Sequence, residues 1–518
     1  MTPQWDVTRQ ASNFLPEAYD PAQAVRLYAP ALVGGRRVAY DAATGSLLPA
    51  ALIGRVVPGS GDPYNGTFQA GKGIEDTLTT GSAFRVSPRL GSACDLTGRQ
   101  SLVVRGAFGV FYDRPQGNLV FDLINNPPGV VVQQLTWGRF QDIDPETSVP
   151  LNAPIALYPN QHEWDLPKVY GWNVGIQARL PLALVLDIAY VGTDSRKQAQ
   201  GIPINAVPYG AAYERENQDP TLPRSPTPGA TALPVDFLRP YRGYGEIRLY
   251  EFSAFSNYHA LQGGLNRRFD RGLMFGATYT WSKALGVANN DFVVPYDYSW
   301  ARPDGPDANR RANYSYLSSD RPHNFVVNFV YQSPRVAGGL LGVLANGWQL
   351  SGIYRWTSGT PYPITFNIPG YGAINLTGSD QNARIVVTGD PGQGWSGDPY
   401  RQIDTSVFAP PRPGSLGFES ARYFLHGPPI DNLDLSVSKS FSLGGRRRVE
   451  IRLDAFNVLN HTQFAAVNSQ VNFKSLDDPT VTNLPFDAAG DLVNPNGFGT
   501  VSNVRAARQL QLMARFQF

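Results

Sequence analysis

Apolar and polar residues alternate along this chain in bursts of about ten residues, a pattern that recurs from about residue 82 to the end. From 273 to 281, Leu273, Phe275, Ala277, Tyr279 and Trp281 share one parity, while Met274, Gly276, Thr278 and Thr280 share the other. The same period sets Trp172, Val174, Ile176, Ala178 and Leu180 against Asn173, Gln177 and Arg179. It sets Val449, Ile451, Leu453 and Ala455 against Glu450, Arg452 and Asp454. In 433–441, Lys439 interrupts an otherwise oily parity of Leu433, Leu435, Val437 and Phe441. The last residues repeat the pattern: Leu510, Leu512, Ala514, Phe516 and Phe518 alternate with Gln509, Gln511, Arg515 and Gln517, and Met513 is the one exception. A period of two is that of a β-strand with one apolar and one polar face. It predicts eleven strands, near 82–96, 101–113, 168–180, 183–194, 256–269, 273–284, 322–334, 347–357, 430–442, 447–458 and 506–518.

The connections carry the stronger signal. Short ones alternate with long ones, the latter running 114–167, 195–255, 285–321, 358–429 and 459–505. Connections in compact domains have a median of about 4–6 residues. Five long loops on one side of a meander are what a transmembrane β-barrel has, with short turns at one rim and long loops at the other. Strands of ten or more residues also suit a tilted bilayer crossing, whereas sandwich strands average about 5–6. Trp172, Trp281, Trp348 and Trp356 lie near strand ends, where interfacial aromatics belong. The expected fold class is therefore all-β: an antiparallel transmembrane β-barrel, incomplete at about eleven strands.

Composition agrees. Gly (52), Pro (43) and 12% aromatics favour strands and turns over helices. A net charge of +2, with Lys and Arg scattered, supplies no field for nucleic acid; Arg446, Arg447 and Arg448 read as a solvated hairpin tip. Cys94 is the sole cysteine, and His162, His259, His323, His426 and His461 fall in separate segments, so no metal site and no cofactor are expected. No long apolar run and no signal-peptide pattern occur. Motifs for a nucleophile elbow, a phosphate-binding loop or a zinc protease are absent, so no enzyme is expected. Asp291, Asp304 and Asp307 read as turn residues, and Glu450, Arg452 and Asp454 as a ladder on a lumen wall.

Four stretches carry a family resemblance: "RGAFGVFYDRP" (105–115), "SNYHALQGGLNRRFDRGLMFGATYTWSKAL" (256–285), "GWQLSGIYRWTSGTPYPIT" (347–365) and "RLDAFNVLNHTQF" (452–464). With "RVVPGSGDPYNG" (55–66) in a loop, they resemble the barrel of TonB-dependent receptors, and more narrowly the Oar-like branch. The resemblance implies a bacterial outer-membrane protein whose 22-stranded barrel surrounds an N-terminal plug. It also implies coupling, through that plug, to the inner-membrane TonB energy-transducing complex. The expected division is 1–80 as an extracellular loop region and 81–518 as the C-terminal half of the barrel, with plug and signal peptide absent. The alternating end at Phe516 and Phe518 resembles the signal by which the barrel assembly machinery recognises its clients.

The function expected is energy-coupled uptake of a nutrient, a saccharide or other large solute, whose identity the barrel does not specify. Loop aromatics Tyr298, Trp300, Tyr371, Trp395 and Tyr400 are candidate ligand contacts, because flat rings stack at low entropic cost; packing of loop against loop is the competing role. Two readings from other classes stay open: a non-transporting surface protein or adhesin, and a secreted β-sandwich that binds or acts on polysaccharide.

Overall fold

The computed structural model describes residues 10–81, 84–113, 117–130, 153–287, 313–335, 338–394, 397–444 and 447–518. Eleven strands form one continuous antiparallel meander: β1 (Arg89–Asp95), β2 (Leu102–Tyr112), β3 (Lys168–Leu180), β4 (Leu184–Pro203), β5 (Tyr244–Asp270), β6 (Leu273–Gly286), β7 (His323–Gln332), β8 (Trp348–Thr357), β9 (Ile430–Ser442), β10 (Arg448–Phe456) and β11 (Gln509–Gln517). Each strand pairs with its neighbours in chain order, and β1 and β11 form the two open edges of the path.

Register turns the parity of single strands into two faces. Cys94, Val104, Ile176, Ile188, Gly263, Tyr279, Phe325 and Trp356 form one transverse row. Leu350, Val437, Leu453 and Leu512 continue the same face at the other end. The adjacent row, Ala93, Arg105, Gly175, Ala189, Gln262, Thr280, Asn324 and Thr357, is polar or small. Polar neighbours on this second face bond to one another: Arg452 donates to Ser436 at 2.9 Å and to Asp454 at 2.8 Å, and Thr357 donates to Asn324 at 2.7 Å. The ladder expected at Glu450, Arg452 and Asp454 is thus present in its Arg452–Asp454 pair.

No second sheet covers the apolar face among the described residues. Val174 is 52% exposed, Trp281 58% and Leu512 74%. A continuous oily face of this extent is a surface for lipid or protein, not the inside of a soluble sandwich. No described helix is long and apolar enough to cross a membrane.

Two bands of aromatics bracket that face. Toward the long loops, Tyr190 bonds His259 through its hydroxyl at 2.8 Å, and Trp172 lies 6.0 Å from the same imidazole. The Tyr–His pair recurs two strands away, where Tyr279 bonds His323 at 2.8 Å and Trp356, on the next strand, lies 6.0 Å from that imidazole. Toward the short turns stand Phe275, Tyr331, Trp348, Phe441 and Phe516. Trp348 and Trp356 are the two ends of one strand face, about 26 Å apart at ~3.3 Å per residue. A tilt of ~40° reduces this to about 20 Å, close to the ~25 Å apolar band of outer-membrane barrels.

The expected strands are observed with three adjustments. β1 begins at Arg89 rather than 82, since Pro88 has no N–H to give a ladder. β4 and β5 extend well past the expected 194 and 256, to Pro203 and back to Tyr244. Their extension pairs through irregularities near Lys197, whose φ is +57°, so its polarity does not follow the membrane pattern. The 335–346 connection carries a short helix, Gly339–Ala345. The tightest turn, Arg271–Gly272, has φ of +50° and +81°, the paired positive values of a two-residue hairpin and the reason glycine stands second.

The β4–β5 extension continues past the sheet as a two-stranded mast, and loops pack against it. Residues 10–81 dock through Phe14, which is buried with Leu157, Tyr244 and Ile247 and meets the Tyr241 ring edge-on at 5.4 Å. Asn13 donates to the Asn160 carbonyl at 2.9 Å, and Arg37 pairs with Asp219 at 2.6 Å. Leu119, Tyr250 and Phe252 form a second small core.

Candidate ligand-binding site in the long loops

The 358–429 and 459–505 loops fold together rather than waving separately. Thr365–Asn367 pairs with Gln470–Asn472, and Val386–Val387 with Phe408–Ala409. Ile364, Ile368, Leu376, Ile385, Phe408, Val471, Phe473 and Phe498 make one buried core under these short pairs. The 204–243 segment is tied in by Ala212, whose N–H reaches the Gly378 carbonyl at 2.9 Å, and by the Arg239–Asp380 pair at 2.8 Å.

This loop body encloses a cavity of about 380 Å³, within the size range of small-molecule sites. Tyr371, Phe366 and Tyr423 supply rings, Ile364 and Leu376 aliphatic wall, and Asn382 an amide. Two arginines, Arg384 and Arg422, also line it, and both are 7% exposed. Arg384 donates to the Ser420 carbonyl at 3.1 Å and to the Asn313 side chain, and its own N–H is accepted by Glu419 at 3.1 Å. The Arg422 guanidinium lies 5.2 Å from the Tyr423 ring centre. Burial lowers the pKa of both arginines, with Tyr209 and Glu419 opposing that shift at Arg384 and Tyr423 at Arg422. Burial pushes the Tyr209 phenol up to about 12, and its hydroxyl has no partner among the described residues.

Of the aromatics expected to meet ligand, Tyr371 lines this cavity. Tyr400 stands outside its wall, partly buried, with its N–H held by Asp398 at 2.9 Å. Tyr298, Trp300 and Trp395 lie outside the described residues, as do Asp291, Asp304 and Asp307. The two arginines were not legible beforehand: they are far apart in sequence, in segments without periodicity. The histidines go to separate partners; His426 meets Asp320 at 2.8 Å and His162 meets Glu75 at 3.0 Å. No cluster suited to a metal forms among the described residues.

The sheet with its uncovered oily face, its polar opposite face and its one-sided loops has a counterpart in known proteins. The family model for the outer membrane beta barrel domain matches residues 1–511. The chain belongs to that family. Its place is the bacterial outer membrane. Several solved structures are similar at low identity. The outer membrane transporter YddB from Escherichia coli has a TM-score of 0.41 and 10% identity over 83% of this chain and 40% of its own. The pyoverdine outer membrane receptor FpvA from Pseudomonas aeruginosa has 0.35 and 10%, over 83% of this chain and 36% of its own. The chain thus spans about 40% or less of the length of these structures. No curated protein matches it.

For an outer-membrane barrel the rims acquire names, since its short turns are periplasmic and its long loops extracellular. The apolar face then meets lipid between the two aromatic bands, the polar face lines the lumen, and the cavity belongs to the outside.

Proposed function

We propose that this outer-membrane β-barrel chain is part of the wall and outer loops of a TonB-dependent receptor that imports a nutrient. The Oar-like branch is the narrower assignment we favour, on the four sequence stretches that resemble it. The observation that carries the reading is the asymmetry of the meander: long, folded loops at one rim, tight turns at the other, and a polar face between. Loops with their own cores and a cavity suit ligand capture, and a wide polar wall suits passage past a plug. Residues 10–81, docked on the mast above the outer aromatic band, belong on this reading to the extracellular side. The open edges at β1 and β11 call for further strands, because unpaired backbone groups in hydrocarbon cost several kcal/mol each. The assembly machinery and the energy-transducing complex are the partners this role requires.

The test is topological and energetic together. In intact cells carrying the assembled receptor, an epitope inserted at Gly397 should be reached by antibody, and one at Gly444 only after the outer membrane is opened. Accumulation of radiolabelled nutrient by those cells should stop when a protonophore collapses the inner-membrane gradient. Reversed epitope access would refute the orientation, and gradient-independent accumulation would refute energy coupling.

A further inference from the structure

We propose that the Gly339–Ala345 helix is a membrane-binding element of this barrel: it lies in the periplasmic leaflet, with Val343 and Leu344 taken up by phospholipid where headgroups meet acyl chains. The proposal goes with the outer-membrane placement of the sheet and needs nothing of the receptor reading.

The connection that carries the helix differs from others at the same rim. The β1–β2 turn presents Arg99, the β5–β6 turn Arg271 and the β9–β10 turn Arg447. Between β7 and β8, by contrast, residues 336–347 carry no charged side chain, and the helix itself reads "GLLGVLA". A helix without a charged or polar face needs an apolar surrounding, because it has nothing to present to water. It is also too short to hold its shape alone. Its seven residues span about 10 Å at ~1.5 Å each, short enough to lie flat in the interfacial layer of a bilayer.

Its attachments put it on the outer surface of the wall. Trp348 and Lys439 are cross-strand partners of lipid-facing parity, at the periplasmic aromatic band. The Trp348 indole N–H donates to the Leu344 carbonyl at 2.8 Å; the Lys439 ammonium donates to that carbonyl at 2.9 Å and also to the Asn346 carbonyl. Carbonyls at a helix end have no partner within the helix, and these two donors serve them where water is scarce. The cation is withdrawn in the process: Lys439 is buried, with the Trp348 and Phe441 ring centres 5.1 and 5.3 Å from its nitrogen. The helix end thus helps to cover a charge that would otherwise face hydrocarbon.

The uncovered side of the helix is apolar. Gly342 is buried, whereas Val343 is 54% and Leu344 64% exposed. Trp348, Leu350 and Tyr331, also exposed, carry the apolar surface onto β8 and β7, where Leu350 and Tyr331 stand directly opposite each other. Lipid already meets that face of the sheet. The same occupant at the helix keeps one apolar surface continuous, whereas exposed to water such a surface invites aggregation.

The barrel assembled in phospholipid vesicles tests this. Cys94→Ser combined with Leu344→Cys leaves one thiol, to which an environment-sensitive fluorophore is attached. Its emission should be blue-shifted relative to the same fluorophore on Cys94→Ser combined with Arg99→Cys. Phospholipid carrying a nitroxide at the headgroup end of an acyl chain should quench it, and iodide in the water should not; at position 99 the two quenchers should act in reverse. The unaltered barrel gives a second measurement if the variants do not fold. Irradiated with phospholipid bearing a diazirine on its acyl chain, it should carry adducts on Val343 or Leu344, read within the tryptic peptide 336–355. Quenching of the Leu344→Cys label by iodide alone would place the helix in water, and protection from both quenchers would place a protein over it. Either result, or adducts confined to 348–354, would overturn the proposal.

Discussion

The Lys439 ammonium lies 5.1 Å from the centre of the Trp348 indole and donates to the Leu344 carbonyl at 2.9 Å. These contacts explain how a charge sits on the lipid face of β9. Lys439 is placed at the periplasmic aromatic band, where its ammonium satisfies carbonyls at the end of the Gly339–Ala345 helix. It is 5% exposed despite its position on the outer face. Lys439→Met should destabilise the assembled barrel by about 1–3 kcal/mol, the scale of a hydrogen bond from a charged donor plus a cation–π contact. Urea-driven loss of heat-modifiable protein in lipid vesicles would measure it. An unchanged midpoint would assign Lys439 no structural part.

Gly192 is a second point of close fit. A Cβ there would overlap the Trp172 indole, which lies across the strand pair. Gly192→Ala should displace the indole, break its contact with His259, and shift Trp172 emission toward that of water. The cost should be about 1–3 kcal/mol, as for other overpacked sites. An unchanged emission spectrum would mean that the strand yields instead of the ring.

Cys94 shares a row with Val104 and Ile176 and should face lipid in the assembled barrel. A membrane-impermeant maleimide should label it slowly. Ser92 shares that parity, so the useful comparison is Ala93→Cys, whose row includes Arg105 and Gln262 and faces the lumen. Faster labelling of native Cys94 than of the new thiol at position 93 would invert the faces.

At the chain's end, Phe516 stacks on Phe518 with ring centres 6.0 Å apart. Phe518→Asp should sharply reduce folded barrel, while a polar substitution at Gln517, on the lumen parity, should do little. A charge near an interface costs only about 0–1 kcal/mol on the lipid face. A loss of folded protein well beyond that figure, read as the heat-modifiable fraction, would mark failed recognition by the assembly machinery. Equal tolerance at both positions would assign the two rings no role in assembly.

In the 10–81 segment, hydrogen bonds from Arg26 and Thr44 hold the Asp41 carboxyl at about 2, below its ordinary 3.8. The folded form therefore binds its proton less readily than the unfolded form. The stabilisation from this pair is complete above about pH 3.8 and is lost as pH falls toward 2. Hydrogen exchange of the 36–49 hairpin should rise across that window. Arg26→Gln should move the rise to higher pH, and a pH-independent exchange rate would remove the pair from the account.

The membrane half of this fold was legible because lipid imposes a strict rule: a strand in a bilayer must present alternate residues to hydrocarbon. Leu350, Val437, Leu453 and Leu512 could be placed on one face from parity alone, and the register aligns them. Above the outer rim that rule lapses. The mast strands carry Arg196, Lys197 and Gln198, and their pairing depends on loops that arrive from elsewhere in the chain. The candidate site shows the same limit. Tyr371 was chosen for its ring, whereas Arg384 and Arg422 meet through a tertiary core that no local period encodes.

The mast has a consequence for how such a molecule can change over generations. Residues 10–81 and the 153–164 segment fasten to the β4–β5 extension, not to the strands that lipid constrains. Outer segments can therefore be exchanged, lengthened or recombined while the membrane wall keeps its sequence rules intact. Mutational drift should concentrate above Arg196 and Ser256, and new specificities should arrive there as whole grafted segments sharing one fixed stem.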